Sequence, residues 1–266
     1  MTFSAEWLAL REPYDLRARN AAVLDAVAAA FAGRPAVAVV DLACGTGSTL
    51  RALSSRLPAR QDWRLVDNDL SLLARAGEGA KPGVRVTATP VDLAHDLELA
   101  LDGPLDLVTT SALLDLVSGG WLERLAVEAA ARRLPVYAAL SYDGRIAFDP
   151  ADPGDAEIVA AFNAHQRRDK GFGPALGPAA AQAAIDLFER VGYATRHGEA
   201  DWSFAPADRA IQNETLAGFA TAAREMGRPL TEIASWLARR SDLIAAGRSS
   251  IRIGHVDLFA WPTGNR

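Results

Sequence analysis

Three short apolar runs of this chain end in acids: Asp41 closes Ala36-Val-Ala-Val-Val-Asp41, Asp67 closes Arg64-Leu-Val-Asp67, and Asp92 follows Thr89-Pro90-Val91. After the first run comes Leu42-Ala43-Cys44-Gly45-Thr46-Gly47-Ser48, a turn with two glycines that leads into helix-type sequence. Glycine has no Cβ and tolerates positive φ, so such a turn lets backbone approach a ligand closely. Two cofactor chemistries compete for it. A dinucleotide fingerprint, G-x-G-x-x-G/A, needs a small third residue for tight helix packing and places a pyrophosphate at the helix N-terminus. Leu50 stands at that third position, and Asp41 would face the pyrophosphate. The other chemistry is a cofactor without phosphate that carries adenosine and a zwitterionic amino acid, whose ammonium group Asp41 could orient, directly or through water. A plain turn between strand and helix is the structural alternative to both. Asp67 follows Gly47 by about 20 residues, where an acid can accept hydrogen bonds from both ribose hydroxyls.

The elements that must position these acids alternate along the chain. Strands are expected at 36–42, 63–66, 84–90, 105–109 and 134–140, with helices at 48–56, 70–76, 94–101 and 121–133 between them, and an amphipathic helix at about 20–31 ahead of the first strand. Short β-type runs alternating with helices imply a parallel sheet covered on both faces. The first strand is apolar throughout, as a central strand buried on both sides should be. The alternation lapses at Asp143, and 143–178 reads as an insertion in which Ile158, Phe162 and His165 share one helical face. A helix at 179–190, a strand at 193–197, helices at 208–226 and 231–246, and a closing strand at 250–261 follow.

The stretch Asp41-Leu-Ala-Cys-Gly-Thr-Gly47 resembles motif I of the class I S-adenosylmethionine-dependent methyltransferases, D/E-x-x-x-G-x-G. The resemblance covers 36–140 well and 179–261 more loosely. It implies an α/β fold, a Rossmann-like doubly wound sheet that is mostly parallel with an antiparallel C-terminal strand and carries helical insertions. It also implies one domain: an N-terminal helical cover over 1–35, a cofactor-binding half over 36–142, an insertion or lid over 143–178, and a C-terminal half over 179–266 with its own helical insertion at 206–247. The cofactor would be S-adenosyl-L-methionine, leaving S-adenosyl-L-homocysteine as product. The resemblance gives cofactor contacts to Asp41, Ala43, Cys44, Gly45 and Gly47 in the turn. Asp67 would bind the ribose, with Asn68 flanking the adenine and Asp69 capping the next helix. Asp92 and Leu93 would meet the adenine, their alternative being a helix cap and a core leucine. Ser111 and Ala112 would lie along the cofactor. From the segment ahead of the first strand, Arg19 or Arg11 would pair with the methionine carboxylate, or serve as an ordinary surface charge.

Methyl transfer from a sulfonium is an in-line displacement, so positioning supplies most of the rate. An amine or hydroxyl acceptor adds a need for a base, worth about 10²–10⁴ in rate. Candidates are Asp115, Tyr142, Asp143 and His165. Each has a structural alternative: His165 as a core histidine, and Tyr142-Asp143-Gly144 as a turn. The run Arg167-Arg168-Asp169-Lys170 before Gly171 reads as a helix C-terminus with cations on the dipole, or as a lid that clamps an anionic group on the acceptor.

The rest of the composition narrows the field. The chain has 266 residues and a formal charge of −5, so a nucleic-acid partner would need a local basic patch, and only short ones exist. No N-P-P-Y or D-P-P-Y follows the fourth strand, which disfavours the enzymes that methylate the amino groups of adenine and glutamine. A single cysteine, Cys44, rules out an internal disulfide and fits a reducing cytoplasm. His95, His165, His197 and His255 show no metal spacing, so no metal is expected. Neither a signal peptide nor a membrane span is expected. The expectation is therefore a small-molecule methyltransferase. The alternatives are transfer of the aminocarboxypropyl group, a non-catalytic binding subunit, and an NAD-linked dehydrogenase that would have to accommodate Leu50 and Asp41.

Overall fold

In the computed structural model, residues 3–264 are described; Met1, Thr2, Asn265 and Arg266, at the outer limits of the expected domain, lie outside the described residues. Five parallel strands run in the order β3 (Val84–Pro90), β2 (Arg60–Asp67), β1 (Ala36–Leu42), β4 (Leu107–Ser111), β5 (Val136–Asp149). Beyond β5 lie β8 (Ser250–Pro262) and then β6 (Tyr193–Glu199), with β8 antiparallel to both. The sheet is therefore α/β, mostly parallel, with an antiparallel C-terminal strand.

Strand order reverses between β1 and β4, so the loops leaving their carboxyl ends diverge and open a crevice, the usual ligand position in such sheets. One face of the sheet packs Leu42, Val66 and Val108 against α6 (Gly119–Arg132) and α8 (Ala180–Arg190). The other packs Val37, Val39 and Leu65 against α2 (Ala21–Phe31), α3 (Ser48–Leu53) and α4 (Leu70–Ala76).

The main departure from the sequence expectation is at β5, which does not end near Leu140 but runs on to Asp149 along the first half of β8. The pairing tolerates register shifts between Ala138 and Ser141 and between Tyr142 and Ile146, the kind of irregularity that hides period-2 alternation. A three-residue strand, β7 (Trp202–Phe204), adds to the same end of β8. This extended ribbon carries a third core, in which Ile251, Ile253 and Phe204 pack against α7 (Asp155–Gln166), α9 (Arg209–Glu225) and α10 (Leu230–Ala245). An N-terminal helix, α1 (Ala5–Ala18), lies against β7 and α9, with Tyr14 edge-on to Phe204 at 5.0 Å. The expected 94–101 helix is reduced to α5 (Leu97–Ala100).

Candidate functional site

The turn after β1 is fastened to the end of β2. Cys44 N–H donates to the Val66 carbonyl at 2.9 Å, and Gly45 N–H donates to Asp67 Oδ2 at 2.9 Å. Ala43, Gly45 and Gly47 all take positive φ, at 52°, 54° and 82°. The two glycines make room for different helices. A Cβ on Gly47 would stand 2.0 Å from the Ala76 carbonyl oxygen, so this glycine lets α4 close on the turn. A Cβ on Gly45 would meet Leu8 of α1 at 3.2 Å, so this glycine lets α1 close on the turn. Ala112, after β4, also takes positive φ (51°), so strained backbone sits at both strand ends that flank the crevice.

A cavity of about 390 Å³ occupies this crevice. Of the residues singled out in the sequence, Ala43, Cys44, Gly45, Asp67, Asn68, Asp92, Leu93, Ser111 and Ala112 line it. Asp67 is held rigidly, its Oδ2 accepting from Gly45 N–H and its Oδ1 from Asp69 N–H at 3.0 Å. Each carboxylate oxygen has a second acceptor site, so two remain for a ligand. Asp92 caps its own loop through Ala94 N–H at 3.0 Å and contacts His95 at 3.0 Å, which holds its carboxyl below the usual range. Burial pushes the Cys44 thiol up.

Gly47, Asp41 and Arg19 lie behind this lining. Asp41 is fully buried; its Oδ1 accepts from Thr109 Oγ1 at 2.7 Å, while Oδ2 has no partner. Burial pushes its pKa up to about 6, against the pull of Thr109 and Arg19. Arg19, also buried, donates to Tyr137 Oη at 3.3 Å and to Ser111 Oγ at 3.2 Å, and its Nε has no partner. It therefore supports Ser111 from below. The arginine of α1 that does line the cavity is Arg11, held by Asp15 Oδ2 at 2.9 Å while Asp15 Oδ1 accepts from Trp202 Nε1.

The four candidate bases do not line the cavity. Tyr142 lies in the third core, its hydroxyl donating to Asn163 Oδ1 at 2.7 Å. Asp143 belongs to β5 rather than to a turn and binds Arg145 through both its backbone N–H and its guanidinium, in a surface cluster with Glu199, Asp201 and Arg252. His165 is buried on α7 between Glu225 Oε2, 2.9 Å from its Nε2, and Lys170 Nζ, 3.1 Å from its Nδ1. Asp115 is buried just behind the wall with Oδ1 unpartnered; burial pushes it up to about 6, against backbone N–H groups and the charges of Arg11 and Lys170.

Lys170, which the sequence places only within a run that ends a helix or forms a lid, lines the cavity together with Gly171 and Phe172. Helix α7 ends at Gln166, so the run up to Lys170 is not its last turn and Gly171 is not its cap. Past the bend the chain is pinned: Asp169 Oδ1 accepts from Gly171 and Gly173 N–H, Phe172 packs edge-on to Trp121 at 5.6 Å, and Leu176 N–H donates to the Val117 carbonyl. Composition held a signal, because Lys170 is one of only two lysines.

Residues 39–134 match the family described as a methyltransferase domain. No curated protein matches the chain. Among solved structures, the chain is similar to a cyclopropane-fatty-acyl-phospholipid synthase-like protein from Lactobacillus casei, at 13% identity over 94% of this chain and 99% of that one, with a TM-score of 0.52. It is also similar to a SAM-dependent methyltransferase from Geobacter sulfurreducens, solved with S-adenosyl-L-homocysteine, at 16% identity over 99% and 100% of the two chains, TM-score 0.47. A third similarity is to the cyclopropane synthase MmaA2 from Mycobacterium tuberculosis, at 11% identity over 90% and 83%, TM-score 0.47.

Proposed function

We propose that the chain, whose residues 39–134 match a methyltransferase domain and whose sheet has the matching strand order, is a class I S-adenosylmethionine-dependent methyltransferase that methylates the nitrogen or oxygen of a small-molecule acceptor in the crevice above β1 and β4. The cofactor supplies a methyl group on a sulfonium centre, and the chain supplies geometry. The observation that carries the reading is Asp67. Two backbone donors fix its carboxylate, and its two free acceptor sites suit the vicinal hydroxyls of a ribose. Asn68, Asp92 and Leu93 would flank the adenine, and the turn at Ala43–Gly45 would lie along the amino-acid portion.

The buried, unpartnered Asp41 Oδ2 suits an ammonium group reached through water. Arg19, by holding Ser111, would fix the cavity floor, and Arg11 would stand nearer the carboxylate. The segment 170–172 and α1 form the walls that would exclude water and select the acceptor; Arg11 and Lys170 there favour one with an anionic group. Among the described residues no helix is long and apolar enough to cross a membrane. A cytoplasmic setting, without a nucleic-acid or membrane partner, completes the proposal.

Calorimetric titration tests it. S-adenosyl-L-homocysteine should bind with micromolar or better affinity and NAD should not. Saturable NAD binding without S-adenosyl-L-homocysteine binding would overturn the reading.

A further inference from the structure

The chain contains 26 arginines and two lysines, Lys81 and Lys170. A guanidinium stays protonated at any physiological pH, whereas an amine gives up its proton when its surroundings disfavour charge. Lys81 is exposed in the loop before β3. Lys170 is half-buried, with one side on the cofactor cavity and the other against His165.

The contacts behind Lys170 form a line. Its Nζ donates to His165 Nδ1 at 3.1 Å, which leaves the ring hydrogen on Nε2, and Nε2 donates to Glu225 Oε2 at 2.9 Å. Glu225, the last residue of α9, is exposed. A separate shallow opening lined by His165, Arg168, Lys170 and Glu225 leads to solvent. Charged groups face the amine from four elements: Glu225 on α9, Arg168 and Asp169 past the end of α7, Asp115 after β4, and Arg11 of α1 beside Asp115. Burial pulls the Lys170 pKa down and Arg168 adds to this, while Glu225 and Asp115 oppose.

We propose that Lys170 is the catalytic base of methyl transfer, and that His165 and Glu225 are positioning residues that conduct the proton from it to solvent. The assignment rests on the methyltransferase reading above. As the acceptor N or O forms its bond to the methyl carbon, the carbon–sulfur bond breaks and its electron pair stays on sulfur. The acceptor's proton passes to the Lys170 Nζ lone pair. Lys170 then gives a proton to His165 Nδ1 and the Nε2 proton leaves by way of Glu225, which leaves the ring hydrogen on Nδ1; proton exchange with solvent through the shallow opening at His165 and Glu225 returns it to Nε2 before the next turnover. This explains why His165, a natural base by residue type, is withdrawn from the cavity.

Two lysines make the test direct. In protein labelled with ¹³C,¹⁵N-lysine, two side-chain amine signals appear, assigned with Lys81→Arg. The Lys170 signal should titrate below the value of about 10.4 found for lysine in peptides and should shift when S-adenosyl-L-homocysteine is added. Glu225→Gln, a surface change that keeps the fold, should lower its midpoint further, because it removes a carboxylate that favours the ammonium form. A Lys170 midpoint at or above the peptide value, or one insensitive to Glu225→Gln, overturns the proposal. Calorimetry on the same samples separates the two claims. Absent S-adenosyl-L-homocysteine binding defeats the methyltransferase reading, whereas intact binding with an unshifted Lys170 defeats only the base.

Discussion

The strand ends of β1–β4 and the helical cap built on β5, β7 and β8 both rest on carboxylates, but they hold them by different means. At the strand ends, Asp67 is fixed by two backbone N–H groups, of Gly45 and Asp69, so the turn itself makes the site. In the cap, Asp155 accepts one backbone N–H, from Asp152 at 2.7 Å, and is otherwise fixed by side chains from far along the chain. Arg240 binds both of its oxygens and Trp236 Nε1 donates to one at 2.9 Å. Arg240 is itself fully buried, over the Phe148 ring at 4.4 Å and against the Pro150 carbonyl at 2.7 Å. A carboxylate held by backbone keeps acceptor capacity for a ligand, whereas one saturated by side chains joins elements together. The first arrangement suits binding and the second suits stability.

This contrast can be broken most directly in the cap. Arg240→Ala leaves Asp155 without its main partner in a dry setting and should cost about 3–5 kcal/mol in urea unfolding, with S-adenosyl-L-homocysteine affinity, measured well below the melting temperature, changed less than about threefold. A matching collapse of affinity would show that the two regions are not separable. Asp67→Ala should do the reverse. Loss of two ligand hydrogen bonds should weaken S-adenosyl-L-homocysteine binding about 100-fold, with a much smaller change in unfolding free energy than Arg240→Ala produces.

Asp115, where the two regions meet, sharpens the comparison through pH. Its folded pKa of about 6 lies above the unfolded 3.8, so the folded state holds the proton more tightly and the stability this confers, present below pH 4, is lost as pH rises through 6. Asp115→Asn should therefore stabilise the protein by up to about 3 kcal/mol at pH 7.5 and change little at pH 4; a gain independent of pH would mean Asp115 is not the titrating group. The smallest effect is expected at Asp143, whose Arg145 partner is about half exposed. Asp143→Ala should alter stability by less than about 1 kcal/mol and leave cofactor affinity unchanged, and a large loss of affinity would return Asp143 to the site.

The parallel half was legible because its signals are local. An apolar run ending in an acid, then glycines, places Asp41, Gly45 and Asp67 within a few residues of a strand end, and strand ends of a parallel sheet share one edge. The candidate bases were not legible. Tyr142 and Asp143 read as a turn because the register shifts in β5 break the alternation that would have marked a strand. His165 was placed on the right helical face, but a face says nothing about which neighbour stands between the ring and the cavity.

Amino-acid order alone determined the α/β layering, the glycine turn and the carboxylate at the end of β2, since each depends on residues adjacent in the chain. Only tertiary structure decided that Arg19 supports Ser111 from beneath while Arg11 reaches the cavity, and that Lys170, not His165, faces the space above β4. Those choices depend on how α1, α7 and α9 pack on a ribbon whose strands pair across more than 100 residues, as Phe148 does with Ile251, and such pairings leave no periodic trace in sequence.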